Sequence, residues 1–438
     1  MVRIQRSAAV LSTLLTVLIA ATTFARAADR PNIVFILADD VGREVLGCYG
    51  GSSYKTPNLD RLAAQGAKLT HCYAMPVCHP TRVTLLTGRY PRHLGSPKWG
   101  SFPKADETKT FAHAVRNAGY ATAIAGKWQI CTMKDDLDHP ARLGFDEWSV
   151  FGWHEGPRYH EPMIYQNGKL RDDTQGKYGP DLYVEFLLDF MKRKQKQPVM
   201  AFYSMALCHD VTDDIGKVVP YGSRGRYDNF KEMAEMMDAK VGQLLQGIDD
   251  LGMWDNTLIL FTTDNGTAGK SKLSAVDDSA KKFVYENVVS RLNGKDIPGG
   301  KGQLSDWGTR VPMIAAWRGV IEPGQTWEDL VDFSDILPTF VAIAGGQLPD
   351  GVQLDGTSFA DRLLGKGTCH REWAYAEGKG KFFAKTRDWK LYSDGRIFHT
   401  EVDPFEKRPI APDAVPKHAR ADLKVLRDAM THLKSRVP

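Results

Sequence analysis

Residues 32–40 read NIVFILADD, an apolar run that ends in two adjacent aspartates. The pattern recurs in three further runs that each end in polar residues: Ala121 to Ala125 before Lys127, Val199 to Leu207 before His209, and Thr257 to Thr262 before Asp264. Such runs are typical of buried parallel strands. Helical patterns lie between them, from Pro57 to Gln65, from Thr110 to Asn117 and from Phe230 to Leu251. The alternation predicts an α/β fold with a large mixed, mostly parallel sheet and helices on both faces.

The sequence pattern changes after residue 348. Short aromatic runs from Phe382 to Ala384, Trp389 to Tyr392 and Ile397 to Thr400 precede a helical pattern from Pro412 to Leu433. We therefore predict an α/β domain over residues 28–348 and a small C-terminal subdomain over 349–438, with an antiparallel sheet and one helix. Residues 268–298 are polar and weakly patterned, which favours a long loop or insertion.

The first 27 residues have the pattern of a secretory signal peptide. Arg3 and Arg6 precede an apolar run from Ala8 to Ala21, and Ala25-Arg26-Ala27 resembles a cleavage site. The run has 14 residues, fewer than the ~20 that a membrane-spanning helix needs. We expect an exported protein, periplasmic or secreted, without a membrane span; the alternative is an uncleaved N-terminal anchor.

Charge and cysteine spacing narrow the functional classes. The formal charge is +4, and loss of three signal-peptide arginines leaves about +1, so bulk charge indicates no nucleic-acid or membrane partner. The six cysteines, at positions 48, 72, 78, 131, 208 and 369, show no zinc-ligand spacing and are too few for a disulfide scaffold.

Oxygen-bearing side chains follow two of the predicted strands. Asp39-Asp40 ends the first, and Asp264-Asn265 ends the last. In α/β sheets ligands bind beyond the carboxyl ends of the strands. Four oxygen ligands there suit a hard cation such as calcium, whereas zinc prefers nitrogen or sulfur. Each pair alone also fits an ordinary helix cap or turn.

The segment from Cys78 to Pro91, CHPTRVTLLTGRYP, is the most specific in the chain. It resembles the sulfatase family signature, Cys-x-Pro-x-Arg followed by Leu-Thr-Gly-Arg. Further elements match in order between residues 31 and 404: Gly119 to Trp128, Gly300 to Gly302, Gly308 to Pro312, Trp389 to Leu391, and Asp403-Pro404. A structural cysteine at position 78 would need none of this flanking pattern.

The resemblance implies a site and a reaction. In the family a maturation enzyme oxidises the signature cysteine, here Cys78, to formylglycine, which attacks a sulfate ester. Asp39, Asp40, Asp264 and Asn265 would hold calcium together with residue 78. Arg82 would steady the formylglycine, Lys127 and Lys301 would hold sulfate oxygens, and His209 would protonate the leaving alcohol.

The chain departs from the family at two positions. Gln129 stands where the family usually has a histidine that helps to release sulfate from the formylglycine, and an amide cannot accept a proton near pH 7. Cys208-His209-Asp210-Val211 replaces the usual Pro-His-x-Pro.

The substrate pocket is predicted from charged and aromatic residues near these motifs: Gln129, Lys98, Trp99, His154 and Arg158. Such residues can stack on a sugar and pair with its substituents, which favours a carbohydrate sulfate, although ordinary loop packing explains them equally well. Two other functions stay open: a phosphonate or phosphate ester hydrolase of the same superfamily, and a non-catalytic protein that binds sulfate esters and has lost turnover at Gln129.

Overall fold

The structure is a computed structural model that describes residues 30–152, 155–211, 227, 229–275 and 283–435, with only the main chain at 274, 275, 283 and 284. The predicted signal peptide and His154 lie outside the described residues. No helix in the described ranges is long and apolar enough to cross a membrane.

The described strands, in chain order, are β1 (Asn32–Ala38), β2 (Ala67–Tyr73), β3 (Ala121–Lys127), β4 (Glu147–Phe151), β5 (Tyr165–Gln166), β6 (Lys169–Leu170), β7 (Val199–Ser204), β8 (Thr257–Thr263), β9 (Lys270–Ala275), β10 (Phe283–Asn287), β11 (Val289–Leu292), β12 (Lys295–Pro298), β13 (Arg310–Ala316), β14 (Gln325–Asp332), β15 (Ala374–Gly378), β16 (Lys381–Lys385), β17 (Trp389–Tyr392) and β18 (Ile397–His399).

The described α-helices are α1 (Pro57–Ala64), α2 (Cys78–Thr87), α3 (Phe111–Asn117), α4 (His139–Arg142), α5 (Gly179–Arg193), α6 (Phe230–Asp250), α7 (Asp306–Thr309), α8 (Ile336–Ala344), α9 (Ala360–Leu363) and α10 (Arg420–Ser435). Short 3-10 segments lie at Arg43–Val45, Gly47–Tyr49, Pro91–Leu94, Lys104–Asp106, Trp254–Asn256, Phe333–Asp335, Pro412–Ala414 and Lys417–Ala419.

The main sheet has ten strands in the order β14-β2-β13-β8-β1-β7-β3-β4-β5-β6. Its centre, from β8 to β4, is parallel, whereas β13 pairs antiparallel with both β8 and β2. Alternate side chains of β1 enter two cores, since successive residues of a strand point to opposite faces. Val34 and Ile36 pack with α1, α5 and α6, and Phe35 packs with α2, α3 and α8 on the other face. The predicted mixed sheet with helices on both faces is confirmed.

The C-terminal part forms a four-stranded antiparallel sheet in the order β15-β16-β17-β18, with α10 packed in the same core. This confirms the predicted small sheet with one helix. The helix itself begins at Arg420 and not at Pro412, because Pro416 interrupts the segment. Two 3-10 turns, one on each side of Pro416, precede the helix. Tyr73, Met75 and Tyr90 of the larger part share this core.

The segment predicted as a loop at residues 268–298 contains two hairpins, β9 with β10 and β11 with β12. The segment is therefore an insertion with strands of its own and not a long loop. Burial alternates along Val289–Leu292, but Val289 is exposed and Ser290 is buried, so the residue types themselves show no strand alternation.

Candidate active site

The carboxyl ends of the central strands meet at one edge of the sheet. Ala38 of β1 lies opposite Thr263 of β8, so that Asp39 and Asp264 leave neighbouring strands side by side. The backbone N–H of Asp264 donates to the carbonyl of Ala38 at 3.0 Å, which extends the ladder to the aspartate itself. The parallel register thus fixes both carboxylates before any side-chain contact forms.

Helix α2 brings Cys78 to this edge as its first residue. Ligand atoms of Asp39, Cys78 and Asp264 all lie within 4.8 Å of one another, and all three residues are buried. The Thr81 hydroxyl donates to the Asp264 carbonyl at 2.8 Å and so ties the first turn of α2 to the end of β8. Position 78 therefore faces two carboxylates at a fixed distance.

Asp40 and Asn265 form the second half of the acidic cluster. The Asn265 side-chain amide donates to Asp40 Oδ1 at 2.8 Å, and Lys301 Nζ donates to Asp40 Oδ2 at 2.6 Å. Asp40 has a φ of 58°, a left-handed conformation that is uncommon for non-glycine residues and clusters at functional sites. The structure thus brings all four predicted metal ligands together with Lys301.

Each buried aspartate of the cluster has one cation. Lys127 Nζ pairs with Asp39, Lys301 with Asp40, and Arg82 Nη2 with Asp264 Oδ2 at 3.0 Å. Even so, Asp39 Oδ1 and Asn265 Oδ1 are buried acceptors without a hydrogen-bond partner among the described residues. Because buried polar atoms normally have partners, these oxygens indicate a missing ligand, and hard oxygen donors are the ligands that calcium takes. The residues present therefore fit a calcium ion.

The pKa shifts follow from this crowding. Burial and the charge of Asp39 raise the pKa of Asp264 to about 7. Burial alone would also raise the pKa of Asp39, but four neighbouring positive groups, of which Lys127 contributes most, together outweigh burial and hold that pKa below its usual range. Burial raises the pKa of the Cys78 thiol, so the unmodified side chain is a poor nucleophile.

His209 and Arg158 meet beside the cluster. Arg158 Nη1 lies 3.1 Å from His209 Nδ1, and the guanidinium also stacks over the Phe151 ring with its carbon 5.1 Å from the centroid. When Arg158 donates to Nδ1, the ring proton lies on Nε2. Arg158 was predicted as a pocket residue, and the structure places it against the histidine.

Gln129 reaches the nucleophile position. Its Oε1 lies 4.0 Å from Cys78 Sγ, and the residue is buried with a φ of 50°. Of the other predicted pocket residues, Lys98 and Trp99 are exposed on the loop after α2.

Sequence reasoning missed Ser204. Its hydroxyl contacts Arg82 Nη1 and donates to the Lys127 carbonyl at 2.6 Å, which links two of the predicted site residues. The predicted strand ran to Leu207 and placed Ser204 inside it, whereas β7 ends at Ser204. A polar residue at the end of an apolar run was the available signal.

Comparison with known proteins agrees with this geometry. The family model for sulfatases matches residues 31–346. Human arylsulfatase A is 32% identical over 403 residues, covering 83% of this chain and 74% of that protein. The chain belongs to the sulfatase family. It is accordingly a sulfuric ester hydrolase, which confirms the predicted enzyme class.

Two further comparisons concern a curated relative and a solved structure. Human N-acetylgalactosamine-6-sulfatase is 30% identical over 420 residues, covering 84% of this chain and 74% of that protein. The crystal structure of Ps i-CgsB in complex with k-i-k-neocarrahexaose superposes with a TM-score of 0.71 at 24% identity, covering 93% of this chain and 94% of that one. The second likeness supports the fold.

Proposed function

We propose that this sulfatase hydrolyses a carbohydrate sulfate ester, with a formylglycine made from Cys78 as nucleophile and a calcium ion held by Asp39, Asp40, Asp264 and Asn265. The observation that carries the proposal is the approach of Asp39, Cys78 and Asp264 to within 4.8 Å at the carboxyl edge of the sheet. Bound there, calcium and formylglycine would supply charge compensation and an attacking hydroxyl, respectively.

The chain's own cations bind the sulfate group. Lys127 and Lys301 project into the cluster from different elements, β3 and the loop before α7. Aspartate holds each ammonium in place, so little reorganisation is needed when sulfate oxygens approach. Burial opposes the charge on Lys301, but Asp40, with smaller contributions from residue 78 and Asp39, outweighs burial and raises the pKa of Lys301 above its ordinary value. As cations at the cluster, Lys127 and Lys301 stabilise the negative charge that develops on the sulfate oxygens.

Arg82 positions the edge of the site and does not need to touch substrate to matter. Its guanidinium contacts Asp264 at 3.0 Å, the Lys127 carbonyl at 3.2 Å and the Ser204 hydroxyl. One side chain thus links α2, which carries residue 78, to the ends of three strands. This rigid link keeps residue 78 aligned with the acidic cluster.

His209 donates a proton to the leaving alcohol. The general acid is the imidazolium, which carries a proton on both ring nitrogens. Its Nδ1 lies 3.1 Å from the Asp210 carbonyl and 3.3 Å from the Asp210 carboxylate, which accept the Nδ1 proton. Arg158, 3.1 Å from the same nitrogen, holds the ring in place, and Nε2 donates to the alcohol. Proton donation matters most for sugar alcohols, since these leave poorly as anions.

Two comparisons support a sugar ester. One relative is named N-acetylgalactosamine-6-sulfatase, and one similar fold was solved in complex with k-i-k-neocarrahexaose. We further propose that residues 1–27 direct export to the periplasm or the exterior, and that a formylglycine-generating enzyme is the maturation partner.

The test combines the mass of residue 78 with sulfate release. Wild-type protein should show a lower mass at the peptide containing Cys78 and release sulfate from saccharide esters; chelation should abolish turnover, and calcium, not zinc, should restore it. Cys78→Ala should fold and lose turnover. Full conversion of Cys78 to formylglycine without release of sulfate from any ester would refute the proposal. Faster hydrolysis of phosphate esters than of sulfate esters would favour the phosphatase alternative.

A further inference from the structure

Trp99 is an unusually exposed aromatic residue. Among the tryptophans in the described part of the chain, it alone has more than half of its surface, 54%, open to solvent. Exposing an indole to water is unfavourable, and a ligand that covers the ring recovers part of that free energy.

The indole is held in one orientation by its neighbours. It stacks on His79 with ring centroids 5.8 Å apart and planes inclined by 22°. His79 is buried, and its Nε2 lies 2.8 Å from the Ser101 carbonyl; Ser101 in turn donates through its hydroxyl to the Lys98 carbonyl at 2.7 Å. The ring is therefore preorganised, which lowers the entropy that binding costs.

The stack is close to the reacting position along the chain, because His79 follows Cys78 in helix α2. Consecutive Cα atoms are 3.8 Å apart, so the indole lies within roughly 13 Å of residue 78, a span that a short saccharide can bridge. Lys98, exposed next to Trp99, adds a positive charge that suits an anionic sugar.

We propose that the platform formed by Trp99 on His79 holds one sugar ring of a sulfated oligosaccharide whose sulfated unit occupies the site at residue 78. The inference rests on the proposed function and narrows its substrate class to oligosaccharides with a further ring beside the sulfated one. The flat indole face binds the apolar face of the ring, and Lys98 binds its anionic substituent.

The experiment compares wild type with Trp99→Ala, Trp99→Phe and the matched control Leu348→Ala, a residue 49% exposed on a loop after α8. The substrates are 4-nitrophenyl sulfate, which has no sugar ring, and sulfated tetrasaccharides from chondroitin 6-sulfate and from carrageenan. The readout is kcat/KM on the best tetrasaccharide divided by kcat/KM on 4-nitrophenyl sulfate. The mass of residue 78 is measured for every variant.

We expect Trp99→Ala to lower this ratio about tenfold, through KM more than kcat, Trp99→Phe to recover most of it, and Leu348→Ala to preserve it. In the Cys78→Ala background, which removes turnover, Trp99→Ala should weaken tetrasaccharide binding about tenfold by calorimetry.

An unchanged ratio overturns the platform and leaves the proposed function standing. Hydrolysis of 4-nitrophenyl sulfate without hydrolysis of any tetrasaccharide overturns the platform together with the carbohydrate substrate of the proposed function. A partial loss of Cys78 conversion at an unchanged ratio also overturns the platform, and assigns the surface to the maturation enzyme. If fully converted wild type releases sulfate from none of these esters, the proposed function fails and the inference fails with it.

Discussion

Replacing Lys127 by methionine should affect the protein differently with and without calcium. Lys127 is fully buried, and its Nζ pairs with Asp39, which is also fully buried. Removing one partner of a buried pair leaves an uncompensated charge and typically costs about 3–5 kcal/mol. In chelator, Lys127→Met should lose about that much stability, because Asp39 Oδ2 loses its ion-pair partner and Asp39 Oδ1 has no hydrogen-bond partner in the described residues.

In calcium the cost should be smaller. A divalent ion on Asp39 compensates the carboxylate, and it also repels the lysine that shares that carboxylate. Charges of +1 and +2 at about 6 Å, roughly the span across one shared carboxylate, repel by about 5–6 kcal/mol at an effective dielectric constant of about 20. Allowing for relaxation, we expect the variant to lose about 2 kcal/mol less in calcium than in chelator. By linkage, the folded variant should bind calcium about 30-fold more tightly than wild type.

Urea unfolding in chelator and in excess calcium measures the first difference, and calorimetric titration with calcium measures the second. Lys385→Met is the matched control, since Lys385 is another fully buried lysine, held by Thr400 and the Arg387 carbonyl away from the cluster. Its cost should be the same in both buffers. Equal destabilisation of Lys127→Met in both buffers, or weaker calcium binding, would refute the reasoning that calcium and Lys127 share Asp39.

Three further predictions address release, proton transfer and the subdomain contact. Gln129 lies 4.0 Å from Cys78, and if it slows the release of sulfate, stopped-flow assays should show a burst of about one alcohol per active site. The burst should shrink in Gln129→His. A raised KM with an unchanged burst would instead indicate that Gln129 binds the substrate. Arg158→Met removes the side chain that holds His209 and should lower kcat on saccharide sulfates about 10- to 100-fold. The loss on 4-nitrophenyl sulfate should be far smaller, because nitrophenolate leaves without a proton from His209. Equal losses on both substrates would contradict this role of Arg158. Arg371→Met should cost about 3–5 kcal/mol in urea unfolding because it strands two buried aspartates, whereas Arg387→Met, in an exposed pair, should cost less than about 1 kcal/mol.

Much of the site follows from where the strands end. Asp39 and Asp264 were predicted as neighbours because both follow apolar runs, and parallel strands bring their carboxyl ends to one edge. The structure puts them in contact through that register. Lys127 follows from the same rule, since it is the last residue of β3. Periodicity predicts such positions well because the strand itself determines them.

What periodicity cannot predict are contacts between loops and the orientation of side chains on helices. The sequence gives no register between Arg158 and His209, which are 51 residues apart, and no reason for Arg82 to choose Ser204 over other acceptors. Both choices depend on packing: a buried guanidinium takes whichever acceptors surround it once the helix is in place. Charge balance at the cluster depends on the same packing, because three aspartates and three cations come from five places in the chain. Loss of any one of these cations should therefore change the affinity for the metal, because the cations and the metal bind the same carboxylates.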